Sequence, residues 1–277
     1  MNIIDGKNIA RQIIDRLKTE PRPAKKLVAV FVGNNPASAS FLKQKEKIAQ
    51  ELAINFQLEQ LSENISEEDL KQKIKELGDD PEVGGIIIQL PLPPKFDRDS
   101  IIGVLNPEKD IDALTAGTKV LPLAVLVVID ALKYAIQFQE IGSPAGDPIS
   151  NLKDKIVAVV GRGILVGKPI AEWLKGKCLG VAVFHSGSDL TELKSADLVI
   201  TGVGKAGLIK PDMLKVGAGV IDFGFDMVDG KIRGDFDSDS LNAIPHTPYP
   251  SFYTPTPGGT GPVLVAELFK NFYKLNK

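Results

Sequence analysis

The sequence has little of what marks secreted, membrane or nucleic-acid-binding proteins. Its single cysteine, Cys178, excludes an internal disulfide and favours a reducing compartment. The formal net charge of −2 creates no field that would attract nucleic acid or an anionic membrane. The longest apolar run, 120–132, is too short to cross a bilayer and contains Asp130. We therefore expect no nucleic-acid partner and no membrane span, and we predict no metal site.

What the chain does have is the composition of a globular protein, since 43% of its 277 residues are hydrophobic and 25% are charged. This length suits two domains or one large domain. Residues 1–18 predict a short strand, a turn and an amphipathic helix. They lack the basic start and apolar centre of a signal peptide, so we expect a cytoplasmic protein.

Apolar runs and helical patterns alternate along the chain. Runs rich in β-branched residues predict buried strands at 26–33, 83–90, 155–161, 180–185, 196–204 and 218–225. Helical patterns are found at 7–19, 38–52, 66–77, 122–137, 167–176 and 211–215. This alternation predicts an α/β fold with parallel strands and helices on both faces. The Gly/Pro/Asp-rich stretch 139–154 is the best linker candidate, and it separates two α/β units.

The second unit begins with a strand, a glycine loop and a helix, "KIVAVVGRGILVGKPIAEWL" at 155–174. In that context glycines allow the backbone to approach a pyrophosphate at the helix N-terminus. Gly161, Gly163 and Gly167 are spaced one residue wider than G-x-G-x-x-G. The pattern predicts a dinucleotide site, with a simple tight turn as the alternative.

The next strand indicates which dinucleotide is bound. NAD-selective folds place an acid near the end of this strand, where it binds the ribose 2′-hydroxyl. Here 185–188 is His-Ser-Gly-Ser, without an acid, and Arg162 lies in the glycine loop, where a guanidinium can pair with a phosphate. NADP is therefore favoured over NAD. The alternatives are that Arg162 is a solvated surface residue and that His185 is an ordinary strand end.

A lysine interrupts the apolar face of the predicted helix 38–52. That face is formed by Phe41, Lys45, Ile48 and Leu52. Burial disfavours an ammonium and lowers a lysine pKa toward the range that is useful for acid–base catalysis. The alternative is a lysine whose amine reaches water past its apolar neighbours.

Polar residues also follow the apolar strand "GGIIIQLPLPP". Gln89 stands at the carboxyl end of this strand, where parallel sheets bind ligands. A glutamine there can hold a substrate or orient a neighbouring base. Asp110 and Asp112 lie in a predicted loop nearby, where helix capping or a solvated turn is the ordinary alternative.

Prolines and glycines crowd the stretch "YTPTPGGTGPVLVAEL", 253–268, directly before an apolar helix. Proline restricts φ and glycine tolerates positive φ, so the stretch predicts a rigid, sharply turned segment. Its bare backbone could approach another surface closely. The alternative is a helix leader in which Pro and Gly only punctuate the chain.

Several of these motifs share the order and approximate spacing of one known family. They are "FVGNNPAS", Lys45, "GGIIIQLPLP", "PEKDID", "VVGRGILVGKP", "HS", "GVIDFG" and "TPTPGGTGP". Together they resemble the bifunctional methylenetetrahydrofolate dehydrogenase/cyclohydrolase family. The likeness runs from Ile3–Lys7 to the last helix, and its Q-L-P-L-P and P-G-G-x-G-P motifs are specific in combination.

The resemblance implies a two-domain enzyme with a cleft between the domains. The folate-binding catalytic domain would be 1–137, completed by 255–277 with its final helix from about Val263, and a Rossmann-like NADP-binding domain would be 138–254. A hydride would pass from 5,10-methylenetetrahydrofolate to NADP, and water would convert the methenyl product to 10-formyltetrahydrofolate. A homodimer through the cofactor domain is implied in the same way.

Roles for individual residues also come from the resemblance. Lys45 would assist water addition and proton transfer, Gln89 would hold Lys45, and Asp112 would bind the pterin edge. Substrate contacts would be Phe41, Pro257, Gly258 and Gly259. Cofactor contacts would be Gly161, Arg162, Gly163, Gly167, Ser186, Thr201, Gly202 and Phe225.

The chain departs from the family pattern at a few positions. Phe41 stands where tyrosine is usual, so a hydroxyl is lost, which affects the expected cyclohydrolase more than the dehydrogenase. Ala113 replaces a glycine, Gly163 stands where serine is common, and 122–125 lacks the usual polar helix start. A dehydrogenase with weak cyclohydrolase is therefore one alternative. Others are another two-domain NADP dehydrogenase, such as one acting on shikimate, and a binder without turnover.

Overall fold

The computed structural model describes residues 1–139, 150–242 and 250–277. Most of the predicted linker, 139–154, therefore lies outside the described residues. Within the described ranges, no helix is both long and apolar enough to cross a membrane.

The chain packs as two compact units. The Lys45 unit consists of Arg11–Leu123 with Val265–Lys277, and the glycine-loop unit consists of Met1–Ala10 with Ala124–Leu264. The domain boundaries expected from the sequence divide the chain at other residues, and they stay a prediction. Each unit has its own parallel sheet, which confirms the predicted two-part α/β fold.

The described residues contain seven α-helices and eleven strands. The helices are α1 (Gly6–Leu17), α2 (Pro36–Glu51), α3 (Glu67–Asp79), α4 (Arg98–Ile102), α5 (Leu123–Gln139), α6 (Gly167–Leu174) and α7 (Thr260–Leu275). The strands are β1 (Asn2–Ile3), β2 (Lys26–Val32), β3 (Phe56–Leu61), β4 (Val83–Ile88), β5 (Ile156–Val160), β6 (Gly180–Phe184), β7 (Leu198–Thr201), β8 (Gly219–Asp222), β9 (Asp226–Val228), β10 (Lys231–Arg233) and β11 (Phe252–Tyr253).

The sheet of the Lys45 unit has the order β3-β2-β4, with both pairs parallel. The central strand β2 and its neighbour β4 are almost completely buried, as their continuous apolar runs predict. The edge strand β3 was not predicted, because "FQLEQL" alternates polar and apolar residues and is only partly buried. Helix α3 covers one face of this sheet through Leu70 and Ile74.

Asn35 caps the N-terminus of helix α2, and this start determines which of its residues are buried. The Asn35 Oδ1 accepts a hydrogen bond from the Ser38 amide at 3.0 Å, and Pro36 occupies the first turn, where its missing N–H costs nothing. From that start, the buried face carries Leu42, Lys45 and Ala49.

The last helix returns to the Lys45 unit, as the resemblance implies. Phe272 of α7 is fully buried there, and a Cβ added at Gly85 would lie 2.8 Å from its ring. The Asn271 side-chain amide donates to the backbone oxygens of Ile111 and Leu121 at 2.9 and 3.1 Å. The helix begins at Thr260 rather than at about Val263, so Pro262 lies in its first turn. Proline is tolerated there because the amides of the first turn have no acceptor within the helix.

The glycine-loop unit contains a six-stranded sheet with the order β1-β11-β8-β7-β5-β6. Every neighbouring pair in it is parallel. Strands β6 and β7 follow β5 in the chain but lie on opposite sides of it, so the strand order reverses between β5 and β7. In open parallel sheets, ligands bind outside the carboxyl ends of strands at such a point.

One prediction about this unit is wrong, and one pair of strands was missed. Residues 211–215 do not form an α-helix: Pro211–Met213 is a single 3₁₀ turn, and the next residue, Leu214, is extended. The segment is too short and too close to β8 for a helix to extend. The antiparallel hairpin β9–β10 was not predicted at all, since each of its strands has only three residues.

Candidate active site

Lys45 is the buried amine predicted from the helix pattern. Its side chain is 4% exposed, so it does not reach out to solvent. The amine Nζ donates to Gln89 Oε1 at 3.1 Å, while the Gln89 amide Nε2 donates to the Leu90 carbonyl at 2.8 Å. Gln89 follows β4 directly and is thus held at both ends of its amide. The structure therefore brings Lys45 and Gln89 together, as expected.

Asp112 acts electrostatically on this lysine. Burial lowers the pKa of Lys45, and the Asp112 charge opposes that shift. Burial raises the pKa of Asp112 to about 6, where Lys45 acts to lower it and Asp110 to raise it. Asp112 can therefore gain or lose a proton near neutral pH, as general acid–base chemistry requires.

The loop that carries Asp112 is organised by Asp110. Asp110 is fully buried, and its Oδ2 accepts hydrogen bonds from the Thr115 amide and hydroxyl at 2.6 and 2.7 Å. Asp110 also forms an isolated parallel bridge with Ile86 of β4. Sequence reasoning offered a helix cap or a solvated turn as its ordinary role; instead, Asp110 anchors the loop beside the sheet.

Phe41 lies one turn before Lys45 on α2. The Lys45 Nζ is 5.0 Å from the centre of the Phe41 ring, within the range of a cation–π interaction. Such a contact favours the ammonium form. Phe41 cannot offer the hydrogen bond that a tyrosine hydroxyl would make.

The glycine loop lies between β5 and α6, at the point where the strand order reverses. Gly161 has a φ of +110°, which favours glycine. A Cβ at Gly167 would lie 2.0 Å from the Gly161 oxygen, so α6 starts directly against the loop. A Cβ at Gly161 would lie 3.2 Å from the oxygen of Gly202, which follows β7. The structure thus brings these three predicted cofactor residues together.

The other predicted cofactor residues follow neighbouring strands. Arg162, Gly163 and Ser186 are exposed, and a Cβ at Gly163 would meet nothing within 4 Å. Phe225 is 52% exposed after β8, an unusual position for a large aromatic side chain. These open positions leave room for a dinucleotide, and the exposed Arg162 offers a cation for a phosphate.

Thr201 differs from the other predicted cofactor residues because it is fully buried at the end of β7. Its hydroxyl donates to Asp235 Oδ2 at 2.7 Å. Asp235 was missed in the sequence, as was the buried Asp222 at the end of β8. The only sequence signal for Asp222 was its position directly after the apolar run "GVI", and the only signal for Asp235 was its position directly after Gly234.

The Pro–Gly stretch forms a tight turn in the glycine-loop unit. The Gly259 amide donates to the Pro255 oxygen at 2.7 Å, and Gly258 has a φ of +103°. A Cβ at Gly6 would lie only 1.7 Å from the Gly259 oxygen, so the start of α1 packs against this turn. The turn thus presents bare backbone, and α7 starts directly after it.

The fold and the two clusters define a class: an α/β protein with one unit built around a glycine loop at the switch point of a parallel sheet and one unit that carries a buried lysine. Among the described residues, no group of His, Cys, Asp and Glu side chains could hold a metal ion. Comparison with known proteins identifies the family.

Residues 4–112 match the catalytic domain of the tetrahydrofolate dehydrogenase/cyclohydrolase family, and residues 147–277 match its NAD(P)-binding domain. The chain belongs to this family. The bifunctional protein FolD of Lactobacillus delbrueckii subsp. bulgaricus is 36% identical over 291 aligned residues, which cover 99% of this chain and 97% of that protein.

Solved structures give the same result. The bifunctional FolD methylenetetrahydrofolate dehydrogenase/cyclohydrolase of Campylobacter jejuni has 31% identity and a TM-score of 0.88, covering 100% of this chain and 98% of its own. The FolD enzyme of Trypanosoma brucei, solved with NADP and an inhibitor, has 26% identity and a TM-score of 0.84, covering 99% and 96%. The resemblance and the fold class predicted from the sequence are thereby confirmed.

Proposed function

We propose that this protein oxidises 5,10-methylenetetrahydrofolate with NADP and hydrolyses the methenyl product to 10-formyltetrahydrofolate, two steps of one-carbon metabolism. The observation that carries the proposal is the buried Lys45 amine, 3.1 Å from Gln89 and electrostatically coupled to Asp112, in a chain of this family. Burying a lysine without an ion pair lowers the stability of a fold, so a lysine in such a place favours a catalytic use.

The Lys45 unit performs the hydrolysis in this proposal. Water adds to the methenyl carbon, and the bond from that carbon to N5 of the folate breaks. Lys45, whose pKa is lowered by burial, accepts one proton from the attacking water and delivers it to N5 as the carbon–N5 bond breaks; the remaining hydroxyl proton leaves to solvent as the formyl carbonyl forms. The net reaction consumes one water and releases one proton. Gln89 keeps the amine in place, and Phe41 stacks on the folate.

Asp112 fixes the pterin in the same unit. A carboxylate accepts two hydrogen bonds from the amino-pyrimidinone edge, and such charge-assisted pairs are stronger than neutral ones. The Asp110 anchor supports this role, because it holds the loop that presents Asp112.

The glycine-loop unit holds NADP in this proposal. NADP supplies the hydride acceptor. The loop Gly161–Gly167 lies beside the pyrophosphate, Arg162 pairs with the 2′-phosphate, and Ser186 adds a hydroxyl. Thr201, Gly202 and Phe225 lie at the ends of the neighbouring strands, and Pro257, Gly258 and Gly259 offer backbone to the reactants. The observations that favour this assignment are the missing acid after β6 and the space above the glycine loop.

A dehydrogenase with weak cyclohydrolase is the second candidate. It is favoured by Phe41, which contacts the Lys45 amine through its ring and has no hydroxyl to relay a proton. A buried cation–π contact stabilises the ammonium by about 2 kcal/mol, so less of Lys45 is present as the free amine that can accept a proton from water. The two candidates differ only in how fast the methenyl intermediate disappears.

One coupled assay tests the proposal. The purified protein is given 5,10-methylenetetrahydrofolate with NADP or NAD, and both the formation and the decay of the methenyl product are followed. NADPH formation followed by rapid decay is expected. Accumulation of the methenyl product beyond its spontaneous decay would favour the second candidate. A clean preparation that forms no NADPH would reject both, and shikimate as substrate should give none.

Folate affinity should decrease at acid pH. Asp112 has a pKa of about 6 and binds the pterin edge as a carboxylate, so protonation of Asp112 removes the form that accepts hydrogen bonds from folate. Affinity should be nearly constant above about pH 7 and about tenfold weaker at pH 5, as a single proton with this pKa requires. Fluorescence titration with a folate analogue at several pH values measures this.

The control for the pH dependence is Asp112→Asn, whose folate affinity should be weak and flat over the same range. NADP affinity of the unchanged protein serves as a second reference. A folate affinity that stays constant down to pH 5 would contradict the role of Asp112.

Arg162→Ala should weaken NADP binding far more than NAD binding. The exposed guanidinium can form a charge-assisted pair with the 2′-phosphate, which NAD lacks. We expect about a tenfold to hundredfold loss for NADP, the size of one such pair, and little change for NAD. Calorimetric titration with both dinucleotides measures this, and equal losses would show that Arg162 does not touch the 2′-phosphate.

The family likeness also supports a cytoplasmic homodimer, formed through the glycine-loop unit, and functional domains at 1–137 with 255–277 and at 138–254. Light scattering during gel filtration should give twice the mass of the chain. A monomer at micromolar concentration would contradict the dimer.

A further inference from the structure

Two fully buried carboxylates of the glycine-loop unit have no role in the proposed chemistry. Asp222 ends β8 and is 1% exposed, and Asp235 follows β10 and is 0% exposed. No described lysine or arginine forms an ion pair with either. A buried acid without a cation must have its oxygens satisfied by hydrogen bonds, so the donors around Asp222 and Asp235 show which segments these acids hold.

Asp235 holds the loop that follows β7. Its Oδ2 accepts hydrogen bonds from the Thr201 hydroxyl and the Val203 amide, and its Oδ1 accepts one from the Lys205 amide, each at 2.7 Å. Three donors within five residues therefore converge on one side chain. The backbone amides of Val203 and Lys205 therefore point toward Asp235, whereas the Val203 side chain is 47% exposed.

Asp222 forms hydrogen bonds with other segments of the same unit. Its carboxylate accepts from the Gly224 amide at 2.6 Å and from the Phe236 amide at 2.9 Å. Its own amide donates to Thr254 Oγ1 at 2.7 Å, and its carbonyl accepts from Thr260 Oγ1 at 2.8 Å. Thr254 and Thr260 flank the Pro–Gly turn, so the turn is tied to the end of β8 on both sides.

The two acids pack directly against two glycines, where no larger side chain would fit. A Cβ at Gly224 would lie 2.3 Å from the Asp235 carboxylate, and a Cβ at Gly234 would lie 2.1 Å from Asp222 Oδ2. The two acids and two glycines therefore form a close-packed cluster. The loop it holds, 201–205, also contacts the β8 end, since a Cβ at Gly204 would lie 3.2 Å from the Phe225 oxygen.

This loop lies at the switch point of the sheet. Gly202 approaches Gly161 of the glycine loop, and the apolar side chains of Val203 and Phe225 are exposed. A loop without regular structure keeps one conformation only if other groups bond its backbone, because ordering each free residue costs conformational entropy. Asp235 supplies three of the hydrogen bonds that do this.

We propose that Asp235 is a positioning residue for dehydrogenation: its carboxylate holds the loop Thr201–Lys205 in the conformation that receives the dinucleotide, while the backbone of Asp222 is bonded to both ends of the Pro–Gly turn. This inference rests on the proposed function for the identity of the dinucleotide. It assigns Thr201 an inward structural bond, so that the loop backbone and Val203, rather than the Thr201 hydroxyl, face the cofactor.

Asp235→Asn tests the proposal. An amide group can accept on only one of its two atoms, so at least one of the three donors loses its acceptor. We expect the Kd and KM for NADP to rise about tenfold, the loss that one hydrogen bond to a charged group predicts. The KM for folate and the NADP-independent hydrolysis of methenyltetrahydrofolate, assigned to the Lys45 unit, should stay within about twofold. Asp239→Asn is the matched control: it removes the same charge from an exposed acid of the same unit and should change none of these quantities.

Hydrogen exchange provides a readout that does not depend on turnover. In Asp235→Asn the amides of 201–205 should exchange faster, while those of β5 stay protected. Thr201→Val removes a single donor, keeps the side-chain shape and should show the same change to a smaller degree, which covers the case in which Asp235→Asn does not fold.

The outcomes separate this inference from the proposed function. Unchanged NADP affinity and unchanged exchange in 201–205 would overturn the inference, even if the enzyme performs both reactions. Equal losses of hydrolysis and NADP binding would also overturn it, since they would indicate general destabilisation. A parent protein without dehydrogenase activity would instead reject the proposed function, and the exchange measurement would still test the loop.

Discussion

Lys45→Met should abolish the hydrolysis of methenyltetrahydrofolate, lowering its rate by at least about a hundredfold, the contribution of a positioned acid–base group. Methionine has similar length but cannot accept or return a proton. The same change should leave the free energy of unfolding equal or higher, because it removes a buried amine that is 4% exposed and held by one side-chain acceptor. Hydrolysis rates and chemical denaturation of both proteins measure the two effects.

The matched control for this prediction is Lys47→Met, which removes an exposed amine from the same helix two residues later. Its hydrolysis rate should equal that of the parent. NADP affinity should be retained in both variants, because the glycine-loop unit is unchanged. Hydrolysis at full rate in Lys45→Met would show that another group assists the water, and the proposed function would lose its main support.

Gly167→Ala should remove most NADP binding. The added methyl would lie 2.0 Å from the Gly161 oxygen, a backbone atom, so either the loop or the start of α6 must shift. We expect the Kd for NADP to rise at least about a hundredfold, since the pyrophosphate position depends on both elements. The free energy of unfolding should fall by about 1–3 kcal/mol, as overpacking in a rigid site predicts. Calorimetric titration and thermal unfolding measure these changes.

Gly180→Ala is the control for the added methyl group. It lies in the same unit at the start of β6, has no positive φ, and its Cβ would meet nothing within 4 Å. Dinucleotide affinity should therefore be unchanged. If Gly167→Ala binds NADP as tightly as the parent does, the loop is not the pyrophosphate site, and the cofactor half of the proposal fails.

The candidate catalytic side chains could be found in the sequence because their signals are local. Lys45 interrupts an apolar stripe whose spacing follows from the helix period, and its predicted burial is confirmed. The stripe itself is shifted, because Leu42 and Ala49 are buried beside Lys45 while Phe41 and Ile48 are only half-buried. Gln89 ends an apolar strand, a position that parallel sheets use for ligands. The glycine loop was also recognisable, because strand, loop and helix follow one another without interruption. The catalytic and binding roles of these residues stay predictions until the variants are measured.

The positioning residues could not be found in this way. Asp235 bonds Thr201 across 34 residues of sequence, and Asp222 bonds Thr260 across 38. Neither contact has a sequence period, since each depends on how strands far apart in the chain meet. The strands β3 and β11 were missed for a related reason: one is amphipathic and the other has two residues, so only pairing with a neighbour defines them.

The sequence by itself determined the α/β class, the two parallel sheets, the buried lysine and the glycine turn, because these follow from side-chain periodicity, from the backbone freedom of glycine and from the restriction that proline imposes. The family was indicated by the resemblance of several motifs in their order and spacing. Only the tertiary structure decided the strand order that places β5 beside β7, the inward direction of Thr201 and the cluster around Asp222 and Asp235. The physical reason is the range of the forces involved. Periodicity acts within a few turns of chain, whereas a buried polar group takes its partners from whatever the packing of distant segments brings within hydrogen-bonding distance.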